Sequence, residues 1–296
     1  MHFRIVSPSA CVDIEKIQLA QNLLKSLGHQ VSLSEHVFSQ YRYLAGTAEQ
    51  RILDLKNACL DPTVDAIWCG RGGTGAAELV PHLDDWILNK PIIGYSDSTV
   101  LLNYIAMHGG QAIHGPVFQE IAVKNLNNQP LSDDALKVIN LLSIAQITDE
   151  SNKNSPYALS ALNTSALQQL KLKKLHILGG NLTVLSSLQG TSNALKLKQP
   201  SILFLEDVGE PYYRLERSLV QLLQSMDTTQ LKAVVLGDFY QCPQKNVPHS
   251  IAEIFSEHFN PLAIPLYQGD WFGHGIHNRP FWIGQFGSIQ DSQLII

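Results

Sequence analysis

The sequence predicts an α/β protein, with an open, mostly parallel sheet covered by helices in its first part and, beyond a connecting region, a second domain of strands, helices and loops. Three observations carry this expectation. In the first part of the chain, short apolar runs alternate with amphipathic segments. A stretch rich in Asn, Ser, Lys and Asp, in which apolar periodicity fades, covers 125–165. Beyond it buried-strand runs return, ending in a tail rich in Gly, Phe and Trp. Strand, loop and helix in repeated turn favour a parallel sheet covered by helices. The expected division is therefore 1–124 for the first domain, 125–165 for a connecting region and 166–296 for the second domain.

Taken in order, residues 3–6 form an apolar run closed by Ser7-Pro8-Ser9. Asp13 is a good N-cap for a helix over 13–27, with Ile17, Ala20, Leu24 and Leu27 on one face and Gly28 just past its end. Val31 and Leu33 alternate with polar neighbours, as in a half-buried strand. Thr47-Ala48-Glu49-Gln50 is a capping box that opens a helix running to about Cys59. Strand 66–68 empties into Gly70-Arg71-Gly72-Gly73-Thr74-Gly75. Strand 91–94 leads through Tyr95-Ser96-Asp97 into a helix over 98–107. In the second half, 202–205 and 233–236 are strands flanking a helix over 213–224, and short strands and loops follow Pro265.

The bulk properties exclude several classes. A chain of 296 residues that is 45% hydrophobic and 16% charged is globular rather than disordered. A net charge of -5 argues against nucleic acid or an anionic membrane as partner. There is no apolar stretch of signal-peptide length and no run of about 18 apolar residues to span a bilayer. Cys11, Cys59, Cys69 and Cys242 are scattered and never form Cys-x-x-Cys. They fit small buried hydrophobes in a reducing cytoplasm, and neither a metal nor a cofactor is expected.

Four segments could carry chemistry. Ser96 lies between a buried strand and a helix, where a tight turn exposes a nucleophile to backbone N–H groups; it could equally cap the helix. The glycine-rich run 70–75 could cradle an anion, supply an oxyanion N–H beside Ser96, or simply make a sharp turn. Glu206-Asp207 ends a buried strand, where α/β sites are built, with a helix-capping role for Asp207 as the alternative. His274, flanked by glycines, could serve as a general base, with His108 and His114 as rivals nearer Ser96 in sequence.

Together these segments resemble the LD-carboxypeptidases, the muramoyltetrapeptide carboxypeptidase group of serine peptidases, which also contains microcin-immunity peptidases. The resemblance rests on Ser7-Pro8-Ser9, Arg71-Gly72-Gly73-Thr74-Gly75 and Gly94-Tyr95-Ser96-Asp97-Ser98-Thr99 in the first half. In the second half it rests on Gly179-Gly180-Asn181-Leu182, on the run from Leu205 to Tyr212 with Arg214 and Arg217, and on Gly273-His274. It implies an N-terminal doubly wound, mostly parallel sheet domain joined to a C-terminal, mainly β domain with helices. It also implies Ser96 as nucleophile, Glu206 as orienting acid and His274 as general base, acting on a murein peptide substrate in a homodimer. The backbone N–H of Asp97 and of Gly72 or Gly73 would then face the oxyanion, and Arg71, Arg217 and Arg279 are candidates to grip the substrate carboxylate. The expected reaction is removal of the terminal D-alanine from cytoplasmic murein tetrapeptide during peptidoglycan recycling. The alternatives are cleavage of an aminoacyl-nucleotide amide, as in microcin immunity, and peptide binding without catalysis.

Overall fold

In a computed structural model, which describes residues 1–123, 132–145, 157–169 and 171–296, the run His2–Val6 forms strand β1 at the centre of a parallel sheet. The chain divides into two units, Met1–Ile147 with Arg279–Phe281, and Thr148–Asn278 with Trp282–Ile296.

In the first unit β1 is followed by α1 (Ile14–Ser26), β2 (Gln30–Leu33), α2 (Ala48–Leu60), β3 (Ala66–Cys69), β4 (Ile92–Gly94), α3 (Thr99–Met107), β5 (Ala112–His114) and α4 (Asp133–Ala145). The first five strands run parallel in the order β5-β4-β3-β1-β2. From β1 the chain first builds outward to β2 and then resumes on the other side with β3. The sheet thus has a switch point between β1 and β3, and α/β sites form at the carboxyl ends of strands beside such a point. Ser7-Pro8-Ser9, the glycine-rich run and Ser96 follow the carboxyl ends of β1, β3 and β4.

The helices form for the expected local reasons. Asp13 accepts the Lys16 N–H at 3.2 Å, and Ile17, Ala20 and Leu24 face inward at helical spacing. Leu27, expected on that face, is instead the C-cap and is exposed. The capping box of α2 is complete: Thr47 Oγ1 accepts from Gln50 N–H at 3.3 Å, and Gln50 Oε1 accepts from Thr47 N–H at 2.9 Å. Its inward face mixes Arg51 and Asp54 with Leu55, Ala58 and Cys59.

Helix α4 lies inside the stretch read as a connecting region, where the sequence reading found no periodicity. Ala135, Val138, Ile139 and Leu142 are buried at i, i+3, i+4 and i+7, a short amphipathic repeat obscured by the polar residues on both sides. Residues 125–131 and 146–156 of that stretch lie outside the described residues. Cys59 and Cys69 are buried as expected, whereas Cys11 and Cys242 are half-buried.

The second unit contains β6 (Tyr157–Ala158), β7 (Ser160–Ala161), α5 (Thr164–Gln168), β8 (Lys171–Asn181), α6 (Leu182–Ser187), β9 (Ser201–Val208), α7 (Tyr212–Ser225), β10 (Leu231–Tyr240), α8 (Ile251–Phe259), β11 (Leu266–Gly273), β13 (Phe286–Gln290) and β14 (Gln293–Ile295); β12 (Phe281–Ile283) begins with a residue of the first unit. Its sheet runs β6-β14-β13-β8-β9-β10-β11-β7. The central strands β8 to β11 are mutually parallel, and β7, β13, β14 and β6 pair antiparallel at the flanks. Ile202 to Leu205 and Ala233 to Leu236 are fully buried, as suits strands covered on both faces. Gly179 takes φ +125, and a Cβ there would sit 2.1 Å from the Phe204 carbonyl oxygen, so β8 and β9 pair this closely only with glycine. Among the described residues no helix is long and apolar enough to cross a membrane.

Candidate active site

Ser96 follows β4 directly. Gly94 closes the strand, Tyr95 is extended at φ -158, and Ser96 turns into the left-handed region at φ +60 before a single helical turn leads into α3. A left-handed serine costs about 1–2 kcal/mol, strain of the kind found at nucleophile elbows. Ser96 occupies neither helix-cap position: Tyr95 precedes the first turn and Ser98 precedes α3. Ser96 is half-buried.

The glycine-rich loop packs against this turn. A Cβ on Gly72 would lie 2.7 Å from Ser96 Cβ, 2.8 Å from Ser96 Oγ and 3.4 Å from the Asp97 nitrogen. Only glycine allows the loop to approach the serine this closely. Gly73, at φ +104, faces Ala10 instead, and Gly75, at φ +119, faces Arg51 and Leu44. The sharp-turn reading therefore holds at Gly73 and Gly75, while Gly72 is the glycine that lies against Ser96.

The loop is held by groups that the sequence reading did not single out. Arg51 is 1% exposed. Its Nη1 donates to the Pro8 carbonyl at 2.8 Å and the Gly75 carbonyl at 2.9 Å, and its Nη2 donates to Glu78. Asp97 Oδ2 accepts the Ala76 N–H at 2.8 Å. Burial raises the Asp97 carboxyl above the usual carboxylate range, opposed by the Ser9 hydroxyl, the Ala76 N–H and the Arg51 charge. The available signal was an arginine four residues before Leu55 and seven before Ala58, on the inward stripe of α2.

In the second unit Glu206 and His274 meet. Glu206 lies near the end of β9, and His274 follows Gly273 at the end of β11. Strand β10 runs between them, and its register shifts at Leu236 on both sides. Two strand spacings are about 10 Å, which the two side chains span at this bulge. Glu206 is fully buried and its Oε2 lies 2.5 Å from His274 Nδ1, with the imidazole side chain 12% exposed. In the tautomer where a neutral ring donates through Nδ1–H to a carboxylate, Nε2 carries the lone pair. That tautomer can act as a general base. Asp207 takes the plainer role foreseen for it. It accepts from Thr183 N–H at 2.9 Å and Thr183 Oγ1 at 2.7 Å, anchoring the first turn of α6 to the end of β9.

Arg71 is exposed and donates to the Cys11 carbonyl at 2.8 Å. Arg217 is exposed on α7, its guanidinium carbon 5.7 Å from the centre of the Tyr213 ring. Arg279 is half-buried in the segment that returns to the first unit. Of the rival histidines, His108 caps the far end of α3, about 15 Å along the helix from its start, and accepts no role beside Ser96. His114 is fully buried, stacked on Phe281 at 4.9 Å.

Comparison with known proteins gives these geometries a family. The LD-carboxypeptidase N-terminal domain matches residues 3–115, and the LD-carboxypeptidase C-terminal domain matches residues 176–289. A murein tetrapeptide carboxypeptidase from Pseudomonas aeruginosa is 39% identical over 298 residues, covering 98% of this chain and 93% of that protein. The crystal structure of a muramoyltetrapeptide carboxypeptidase from Oxalobacter formigenes superposes with a TM-score of 0.81 at 25% identity, covering 100% of this chain and 97% of that one. An MccF-like protein from Bacillus anthracis superposes with a TM-score of 0.79 at 25% identity, covering 99% and 95%. The chain belongs to the LD-carboxypeptidase family and is a serine-type carboxypeptidase, a hydrolase.

Proposed function

We propose that the enzyme removes the terminal D-alanine from murein tetrapeptide in the cytoplasm during peptidoglycan recycling. Ser96 is the nucleophile, His274 the general base and Glu206 the group that orients the imidazole. The observation that carries this reading is the 2.5 Å contact between Glu206 Oε2 and His274 Nδ1, a pairing that suits the tautomer a base requires. The left-handed turn at Ser96, with Gly72 against its hydroxyl, supports the nucleophile.

In the first step Ser96 Oγ bonds to the carbonyl carbon that precedes D-alanine, and its proton passes to His274 Nε2. The N–H of Asp97 and that of Gly72 or Gly73 donate to the oxyanion, one such donor being worth about 3 kcal/mol. The intermediate collapses as the C–N bond breaks, and the imidazolium gives its proton to the departing amine of D-alanine. Water, deprotonated by the same imidazole, then attacks the acyl-enzyme and releases the tripeptide. Arg71, Arg217 and Arg279 are the candidates to bind the terminal carboxylate, for which a guanidinium fork is suited. The reading also assigns the nucleophile to a domain over 1–124 and the acid and base to one over 166–296, working as a homodimer.

The coverage and identity of the murein tetrapeptide carboxypeptidase from Pseudomonas aeruginosa favour a murein substrate over an aminoacyl-nucleotide amide. Incubation with murein tetrapeptide, read by mass spectrometry, is expected to show loss of one alanine, and Ser96→Ala to abolish it. Turnover of a microcin-like aminoacyl-nucleotide conjugate with the tetrapeptide left intact would reverse the choice.

A further inference from the structure

Three loops at the carboxyl ends of β1, β3 and β4 are tied together by two buried charged side chains, neither of which has a part in the proposed chemistry. Arg51 reaches from α2 to the Pro8 carbonyl after β1 and to the Gly75 carbonyl and Glu78 after β3. Asp97 reaches from the turn after β4 to the Ala76 N–H, one residue beyond the carbonyl held by Arg51. Arg51 is 1% exposed and Asp97 6% exposed, so each is held where water cannot substitute for the lost partner.

We propose that the Asp97 carboxylate and Arg51 are positioning residues that set the distance between the two proposed oxyanion donors. The main chain of Asp97 supplies one donor, and the loop that its own side chain anchors supplies the other. The link is short: Ala76 stands only four residues after Gly72, and the intervening turn is fixed by glycines at φ +104 and +119. A loosened Ala76 lets the Gly72 backbone drift from Ser96, and a misplacement of about 1 Å in such a site costs on the order of 100-fold in rate. Arg51 acts at one remove. It holds the Gly75 carbonyl and balances the buried carboxylate, and its planar fork serves two carbonyls and one carboxylate in a way that a lysine ammonium cannot. The inference rests on the assignment of Ser96 as nucleophile.

The test compares Asp97→Ala, Asp97→Asn and Arg51→Lys with the wild-type enzyme, measuring kcat and KM for release of D-alanine from murein tetrapeptide per titrated active site. Asp97→Ala and Arg51→Lys are expected to lower kcat about 10- to 100-fold at nearly unchanged KM. Asp97→Asn, which keeps an oxygen to accept the Ala76 N–H, is expected to recover most of the loss seen in Asp97→Ala. Wild-type kcat in Arg51→Lys, or a loss explained wholly by fewer titratable sites, would overturn the proposal. If Asp97→Ala does not fold, the Arg51→Lys result decides. Ser96→Ala measured in parallel separates the two claims: retained turnover there refutes the nucleophile itself, whereas its loss leaves the positioning claim to be judged on its own variants.

Discussion

Substituting Gly72 by alanine probes the closest contact at the proposed nucleophile. The added methyl would sit 2.7 Å from Ser96 Cβ and 2.8 Å from Ser96 Oγ. Carbon atoms pack best at about 3.5–4.0 Å, so roughly 1 Å of overlap must be relieved. Rotating the serine does not relieve it, because Cβ itself is one of the atoms struck. The Ser96 backbone, already left-handed at φ +60, or the loop must move instead. Overpacking of this kind costs about 1–3 kcal/mol in stability. A displacement of about 1 Å between nucleophile and oxyanion donors lowers kcat on the order of 100-fold. The assay is D-alanine release per titrated active site, with thermal melting alongside. Gly28→Ala is the control. It carries φ +84 with nothing within 4 Å of a Cβ, so it costs about 1–2 kcal/mol of left-handed strain and leaves kcat unchanged. Wild-type kcat in Gly72→Ala would refute the claim that this loop and Ser96 form one catalytic surface.

Three further outcomes are expected. Glu206→Gln keeps the shape of a fully buried side chain but allows the imidazole its other tautomer, so kcat is expected to fall on the order of 10⁴-fold with KM little changed in steady-state assays. Among Arg71→Ala, Arg217→Ala and Arg279→Ala, the variant that loses the carboxylate grip raises KM without lowering the melting temperature, while a structural arginine does the reverse. Asp207→Asn is expected to destabilise the fold by about 1–3 kcal/mol at pH 7, since an amide NH₂ must replace an oxygen that accepts from its neighbours. Its pH dependence has a definite sign. Burial, with the Glu206 charge adding to it, raises the Asp207 carboxyl above its unfolded value of 3.8, so the native state binds this proton first as pH falls. The wild-type protein therefore gains stability from this group as pH drops through the raised value, and the gain is complete below the unfolded one. The melting gap between wild type and Asp207→Asn should widen from pH 7 toward pH 4; a gap that narrows contradicts the burial argument.

What the sequence made legible follows from which forces act locally. Asp13 and the Thr47 capping box announce α1 and α2 because caps satisfy orphan N–H groups within a few residues. Gly94-Tyr95-Ser96 announces a turn because a buried strand runs directly into a helix. Residue order alone leaves His274 and its rivals equal, since Glu206 and His274 meet only once β10 has been laid between their strands. The resemblance to a known family, rather than spacing, chose among them. Arg51 and the Asp97 carboxylate escaped notice for a related reason. Most of their partners are main-chain groups of loops far away in sequence, such as the Pro8 carbonyl. Helix α4 was hidden because its apolar stripe is flanked on both sides by polar residues.

The central claim is that Ser96 is acylated with His274 as its base, and covalent labelling tests it most directly. Wild-type protein treated with a serine-reactive fluorophosphonate, digested and mapped by mass spectrometry, is predicted to carry one adduct, on Ser96. In His274→Ala the labelling rate should fall by at least about 10³-fold. An adduct on another serine, or labelling of His274→Ala at the wild-type rate, would contradict the account.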